Sequence, residues 1–535
     1  MASEGKTADF DVIVVGAGFG GLYALHKLRS NGLKVRVLER GSGIGGTWFW
    51  NRYPGARCDN ESVEYSYSFS PELQRDWQWS ERNAPQAEIL AYLEHVAERF
   101  DLMPDIQLDT EVTAATWDAD AGLWKVETGI ESLTARFCVM AAGNLSVAKL
   151  PDWPGIHSFE GTILHTAEWP EEPVDFTGRR VAVVGTGSSG IQVIPQIARQ
   201  AEHLTVFQRT PNFIVPAHNY VHPKGRPVLE EQAYAELRER ARTSLLGFFA
   251  PLPTRSAMEV TVEEARESFE ARWQVGGTPF LLAYYDVLFN PAANAIAADF
   301  VRDKIRATVR KPEVAERMVP QGYPIGAKRL CFEIGYYDTF NRDNVALVDL
   351  RSEPVSEVTA SGVVAGGRLH AVDTLVFATG FEAVTGALAR IDIRGRDGRL
   401  LREEWADGPR AYLGLMSAGF PNLFLLTGPG SPAALSNVVL SIEQHVEWVA
   451  DCIAWLDGKD ARTIEATPEA QDGWMEHVDA VAQQTLFPTV DSWYQCHARD
   501  GRRVFMLYLG GVGPYREKCD AVAAAGYEGF AVDAA

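Results

Sequence analysis

Two copies of one local pattern constrain the fold of this chain more than any bulk property does. Near the start, the apolar run Val12 to Val15 leads into Gly16-Ala-Gly18-Phe-Gly-Gly21, after which Leu22, Leu25 and Leu28 recur at helical spacing. That order predicts strand, tight turn, helix. A second strand over Lys34 to Leu38 ends at Glu39, about 20 residues beyond the turn, where a βαβ unit places an acid against an adenosine ribose. Downstream, Val181 to Val184 runs into Gly185-Thr-Gly187-Ser188-Ser189-Gly190. A helix follows, and a strand over Leu204 to Phe207 ends in Gln208-Arg209-Thr210. Glycines suit such turns because backbone N–H groups and a helix N-terminus must approach a pyrophosphate with no Cβ in the way. One copy is weak evidence, since glycine turns also serve plain structural needs. Two copies, each between strand and helix, predict two dinucleotide sites.

The two units differ in charge at one decisive place. Glu39 can accept hydrogen bonds from ribose hydroxyls, whereas Arg209 holds the corresponding position in the second unit and suits a 2′-phosphate. The first unit is therefore assigned to FAD, through Gly16, Gly18, Gly21 and Glu39. The second is assigned to NADPH, through Gly185, Gly187, Ser188, Ser189, Gly190, Arg209 and Thr210. From about Tyr220 to Tyr323 the chain turns charged and helical without such glycines, which reads as an insertion. Strands resume near Val345 to Leu350 and Thr374 to Phe377, and the chain is expected to return to the first domain around residues 373 to 381. NLFLLTGPG (422 to 430) reads as a buried strand, followed by an amphipathic helix through Ile442, His445, Trp448 and Val449. The expected fold is α/β: two Rossmann-like dinucleotide-binding domains with a helical insertion. Expected boundaries are 1–145 and 383–535 for the FAD domain, 146–220 and 326–382 for the NADP domain, and 221–325 for the insertion.

Bulk properties narrow the function. A chain of 535 residues exceeds what one core supports, so several domains and a large cofactor fit. The formal charge of -21 opposes nucleic-acid binding, which needs a basic face. MASEGKTADF lacks the segments of a secretory signal, and no apolar run is long enough to span a bilayer, so a cytoplasmic location and no membrane partner are expected. Cys58, Cys138, Cys331, Cys452, Cys496 and Cys519 form no C-x-x-C pair, which suggests neither a disulfide framework nor a metal site. It also removes a disulfide reductase, the other common use of two dinucleotide units.

Between the units stands Phe159-Glu-Gly161-Thr-Ile-Leu-His165-Thr-Ala-Glu-Trp169-Pro170, which fits F-x-G-x-x-x-H-x-x-x-W-P at every fixed position. This resembles the fingerprint of Baeyer–Villiger monooxygenases, and its Trp-Pro ending separates it from related N-hydroxylating and flavin-containing monooxygenases. Gly46-Thr47-Trp48-Phe49-Trp50-Asn51-Arg52-Tyr53-Pro54-Gly55-Ala56-Arg57-Cys58-Asp59 resembles the family's flavin-side segment. Further likeness lies in Gly326-Ala327-Lys328-Arg329, Tyr336-Tyr337, Asn341 to Asn344 and GPGSPAALSN (428 to 437). It extends over about Phe10 to Phe530 and leans toward the phenylacetone and steroid members.

The resemblance implies an NADPH- and O2-dependent oxidation of a small ketone to an ester or lactone through a C4a-peroxyflavin, with sulfoxidation as a side reaction and a monomeric enzyme. It places Thr47, Trp48, Phe49, Trp50, Arg57, Cys58, Asp59, Tyr65 and Val112 at the cofactor, and Lys328, Arg329 and Trp493 on the coenzyme side. Arg329 and Asp59 become the catalytic pair. His165 is expected to serve as a hinge or hydrogen-bonding residue. One segment departs from the family: after Ser492-Trp493-Tyr494, relatives continue with Gly-Ala-Asn and a Pro-Gly-Lys turn, whereas this chain reads Gln495-Cys496-His497-Ala498-Arg499-Asp500-Gly501-Arg502-Arg503. The ketone pocket is expected to be walled by Ser431 to Leu440 and by this loop. The rival readings are a nitrogen or sulfur oxygenase on the same fold, and a flavoprotein acting as redox sensor or NADPH oxidase.

Overall fold

The computed structural model describes residues 8–224, 228–432 and 435–534. Two parallel-centred sheets organise them. In the first, the strand order is Asp392–Arg394, Val112–Asp118, Leu123–Thr128, Ser132–Met140, Phe10–Val15, Val35–Leu38, Ile106–Gln107, with Leu423–Leu425 also pairing with Ser132–Met140. In the second, the order is Val345–Asp349, His203–Gln208, Arg180–Val184, Thr374–Phe377, Thr162–His165, all parallel. The central strands are near-continuous Val/Ile/Leu/Phe runs because helices and loops bury both of their faces.

Each glycine turn joins a central strand to a helix, Phe19–Ser30 in the first sheet and Ser188–Ala198 in the second. The strand Thr374–Phe377 lies inside the second sheet, and the chain rejoins the first sheet only at Asp392–Arg394. Helices Glu231–Thr243, Val262–Val275 and Pro291–Thr308 occupy the charged stretch, where Phe269, Phe280 and Phe300 share a core with the second sheet. The helix expected to be amphipathic, Val438–Gly458, is buried around most of its circumference, because it packs between Phe19–Ser30, Val512–Ala524 and the strand Ala461–Ala466. Five cysteines are buried and Cys496 is half-buried. No helix among the described residues is long and apolar enough to cross a membrane.

Candidate active site

The two glycine turns open onto one cavity of about 1170 Å³. A single drug-sized ligand fills roughly 300–1,000 Å³, so this space suits two large ligands in contact. Gly16 and Gly185 take φ of +102° and +105°, a left-handed conformation that a side chain resists. A Cβ at Gly21 would stand 1.8 Å from the Gly16 carbonyl oxygen, and one at Gly190 would stand 2.3 Å from that of Gly185. These third glycines let helix and strand pack, and they do not line the cavity. Gly18 and Gly187, the N-caps of the two helices, do line it, and space around Gly187 is open.

In the first half, Glu39 ends the strand Val35–Leu38 at the cavity wall, beside Val112. Its Oε2 accepts from the Ala17 N–H at 2.7 Å and its Oε1 from the Gly41 N–H at 2.7 Å. Burial pushes its carboxyl above the usual range against the pull of those two donors. Thr47, Trp48, Trp50, Asn51 and Tyr65 line the same half, and the Trp48 Nε1–H donates to the Tyr65 hydroxyl at 3.2 Å. The Phe49 ring instead packs beneath the glycines at 41 and 43, with the Arg52 guanidinium 4.4 Å from its centre.

The flavin-side segment is clamped to the second domain. Tyr53 donates to Gln192 Oε1 at 2.8 Å, and Gln192 Nε2 donates to the Arg57 carbonyl at 3.0 Å. Arg52 pairs with Glu171 at 3.1 Å, and the Trp169 N–H donates to the Trp50 carbonyl at 3.3 Å. The Trp169-Pro170 end of the fingerprint therefore sits against the flavin-side segment. The His165 Nδ1 accepts from the Ala167 N–H at 3.0 Å, while Nε2 faces the Lys149 carbonyl and the Thr379 hydroxyl at 3.4 and 3.3 Å. That pattern requires the proton on Nε2, and burial lowers the ring's basicity. His165 thus joins the linker at Lys149 to the ends of the second sheet.

At the centre, Arg329 and Asp59 meet across 270 positions of sequence: Nε and Nη2 donate to Oδ2 and Oδ1 of one carboxylate, each at 2.7 Å. The pair is partly shielded, with side-chain exposures of 33% and 18%. Burial opposes the charge on Arg329, but the Asp59 carboxylate and its hydrogen bonds outweigh it and hold the guanidinium above its ordinary value. The Cys58 thiol is pushed well above its usual range, first by burial and then by the Asp59 charge. Arg57, next to it, donates to Glu81 at 2.8 Å. Tyr494, buried with Phe487 and Phe505, places its phenol beside Arg329.

The second half carries Ser188, Ser189, Arg209, Thr210, Lys328 and Trp493 on its walls. Arg209 is exposed, and the half-buried Lys328 Nζ lies 5.3 Å from the centre of the Tyr323 ring. Of the two predicted pocket walls, Ser436 and Val438 represent the first and Trp493, Gln495 and His497 the second; Ala433 and Ala434 lie outside the described residues. Gln192, Tyr494 and Asp491 were given no role by the sequence reading, and Asn51 entered it only as one position of the flavin-side segment. Each acts through contacts distant in sequence or carries no local signature. Asn51 Oδ1 is buried without a partner among the described residues on the flavin-side wall, an acceptor suited to a bound cofactor's donor.

Two dinucleotide halves meeting at a fixed guanidinium define a flavin- and nicotinamide-type oxidoreductase, and comparison with known proteins agrees. Residues 10–228 match the family described as flavin-binding monooxygenase-like. A phenazine N-monooxygenase of Lysobacter antibioticus is 43% identical over 99% of this chain and 98% of its own. A Baeyer–Villiger monooxygenase of Pseudooceanicola batsensis is 41% identical over 97% and 96%. Among solved structures, oxidised steroid monooxygenase bound to NADP is 52% identical, with a TM-score of 0.94 over 98% of this chain and 100% of that one. OTEMO in complex with FAD and NADP is 38% identical, with a TM-score of 0.95 over the same shares. The chain belongs to the Baeyer–Villiger monooxygenase family.

Proposed function

We propose that the protein oxidises a small ketone to an ester or lactone, using FAD, NADPH and O2. The observation that carries this reading is the bidentate Arg329–Asp59 pair, which puts a permanent cation where the two dinucleotide halves meet. The first half, from Gly16 through Glu39 to the Thr47–Asp59 segment, Tyr65 and Val112, holds FAD. Gly185 to Gly190, Arg209, Thr210 and Lys328 would hold NADPH, with Trp493 on the same cavity wall. FAD, when bound, would supply the oxygen-activating chemistry that no side chain provides.

The chain's own residues do the rest. Arg329 presents a rigid plane of donors toward the carbonyl oxygen, on which negative charge develops when an oxygen nucleophile adds to the carbonyl carbon. Asp59 fixes that plane by engaging its Nε–Nη2 edge, and the buried Tyr494 phenol stands beside it. Trp493 and the walls around it exclude water, which favours oxygen transfer over loss of hydrogen peroxide.

The relative described as a phenazine N-monooxygenase favours a second reading, oxidation of an aromatic nitrogen. Such a reaction puts no carbonyl oxyanion beside Arg329. A panel of linear, cyclic, aromatic and steroidal ketones, together with a phenazine, decides between them under heavy-oxygen O2. The expected product is an ester or lactone carrying one oxygen atom from O2 per NADPH consumed. N-oxide alone, or hydrogen peroxide alone, would overturn the assignment.

A further inference from the structure

Residues 141–161 carry the chain from the first sheet to the second after Met140, and residues 378–391 carry it back after Phe377. The two crossings are bonded to each other. The Val384 N–H donates to the Asn144 carbonyl at 2.9 Å, the Glu382 N–H to the Val147 carbonyl at 3.0 Å, and the Lys149 N–H to the Gly380 carbonyl at 3.0 Å. At its Lys149 end this ribbon meets His165, on a strand of the second sheet. Its Asn144 end is fastened to the first domain, where the Thr427 hydroxyl donates to Asn144 Oδ1 at 3.2 Å. Thr427 follows the strand Leu423–Leu425 and lines the cavity with Leu426 and Asn144. A Cβ on Gly20 would stand 3.2 Å from the Leu426 side chain, which puts this wall in the flavin half.

Thr427 is β-branched, yet its φ is +56°, a conformation that its surroundings must impose. The imposing contact comes from the helix Val438–Gly458, whose fully buried His445 accepts the Thr427 N–H on Nδ1 at 3.0 Å. The ring's proton therefore sits on Nε2 and is donated to the Tyr515 oxygen at 2.8 Å, while the Tyr515 hydroxyl donates to the Leu413 carbonyl at 2.5 Å. Burial drives the basicity of His445 down to about 3, so the ring stays neutral and keeps that one tautomer.

We infer that Thr427, held in its left-handed turn by His445 and Tyr515, is a positioning residue that anchors the paired linkers to the flavin half and so sets how the two halves face each other. The anchor rests on the assignment of those halves to FAD and NADPH. Hydride passes from NADPH to FAD only at close approach, and a misplacement of about 1 Å can cost about 10²-fold in rate. Asn144 is half-buried, so water can replace the lost partner when the hydroxyl is removed, and the fold survives the change.

The test compares FAD-loaded parent, Thr427→Val and Thr427→Ser. Amide hydrogen exchange of the Glu382 and Val384 N–H groups reads the ribbon directly, and anaerobic rapid mixing with NADPH reads the limiting rate of reduction per bound flavin. Thr427→Val should speed that exchange and slow reduction by about fivefold, the worth of one neutral hydrogen bond, with flavin content kept. Thr427→Ser, which keeps the hydroxyl, should match the parent in both. His445→Leu should fail in the direction of Thr427→Val, and His445→Asn, which places an amide oxygen near the position of Nδ1, should recover most of the rate. Parent exchange and parent reduction rate in Thr427→Val, with or without a fall in Tm, would overturn the anchor, as would Thr427→Ser behaving like Thr427→Val. If NADPH does not reduce the parent's flavin at all, the assignment of the halves fails and the anchor with it; if the parent is reduced and Thr427→Val is indistinguishable from it, only the anchor fails.

Discussion

The two glycine turns share one backbone plan, and the groups that distinguish them are held in opposite ways. Glu39 is buried, and both of its carboxylate oxygens are already engaged by backbone donors, so its position is set before any ligand arrives. Arg209 stands exposed and Lys328 half-buried over a tyrosine ring, in the half that Trp493 also lines. A rigid, preorganised site suits a cofactor that stays, and a solvent-facing cationic site suits a coenzyme that comes and goes. The same motif thus yields a resident half and an exchanging half.

The sharpest way to break this contrast is at the glycines. Gly21→Ala drives a methyl group into the Gly16 carbonyl and should destabilise the protein by about 1–3 kcal/mol or more, with loss of FAD, read as Tm and flavin content. Gly187→Ala adds a methyl where space is open and should keep both Tm and flavin while weakening coenzyme binding. Flavin release from the Gly187 variant would mean that the halves are not independent. A smaller effect sharpens the exchange side: Arg209→Ala or Lys328→Ala should raise KM for NADPH by about tenfold to a hundredfold, the worth of one charge-assisted contact, and leave NADH nearly unmoved. Equal changes for both coenzymes would contradict the phosphate role.

Much of this organisation was legible in the sequence, because the signals were local. Val12 to Val15 and Val181 to Val184 are the central strands of their sheets, and each following glycine run opens a helix at the cavity. What escaped was long-range. Gln192 is an unremarked helical residue until Tyr53 and Arg57 are found bonded to it, and Tyr494 has no motif that points to Arg329. Gly21, Gly190 and Phe49 belong to the motifs yet stand behind the cavity wall, since a motif records packing needs as well as ligand contacts. The helix at Val438–Gly458 read as amphipathic because periodicity reports apolar positions only, and tertiary packing buried Glu443, Gln444 and His445 as well.

The account turns on the guanidinium that Asp59 holds at the junction of the two halves. The most direct test mixes reduced Arg329→Ala rapidly with O2, follows the flavin spectrum, and measures ester and hydrogen peroxide together. The variant should retain FAD and lose ester formation by about 10²- to 10³-fold, the cost of one preorganised donor at an oxyanion, with the NADPH it consumes appearing as hydrogen peroxide. Asp59→Ala should fail in the same direction and less completely, because it leaves the cation present but unheld. A normal ester yield from Arg329→Ala would contradict the account, even with both cofactors bound as assigned.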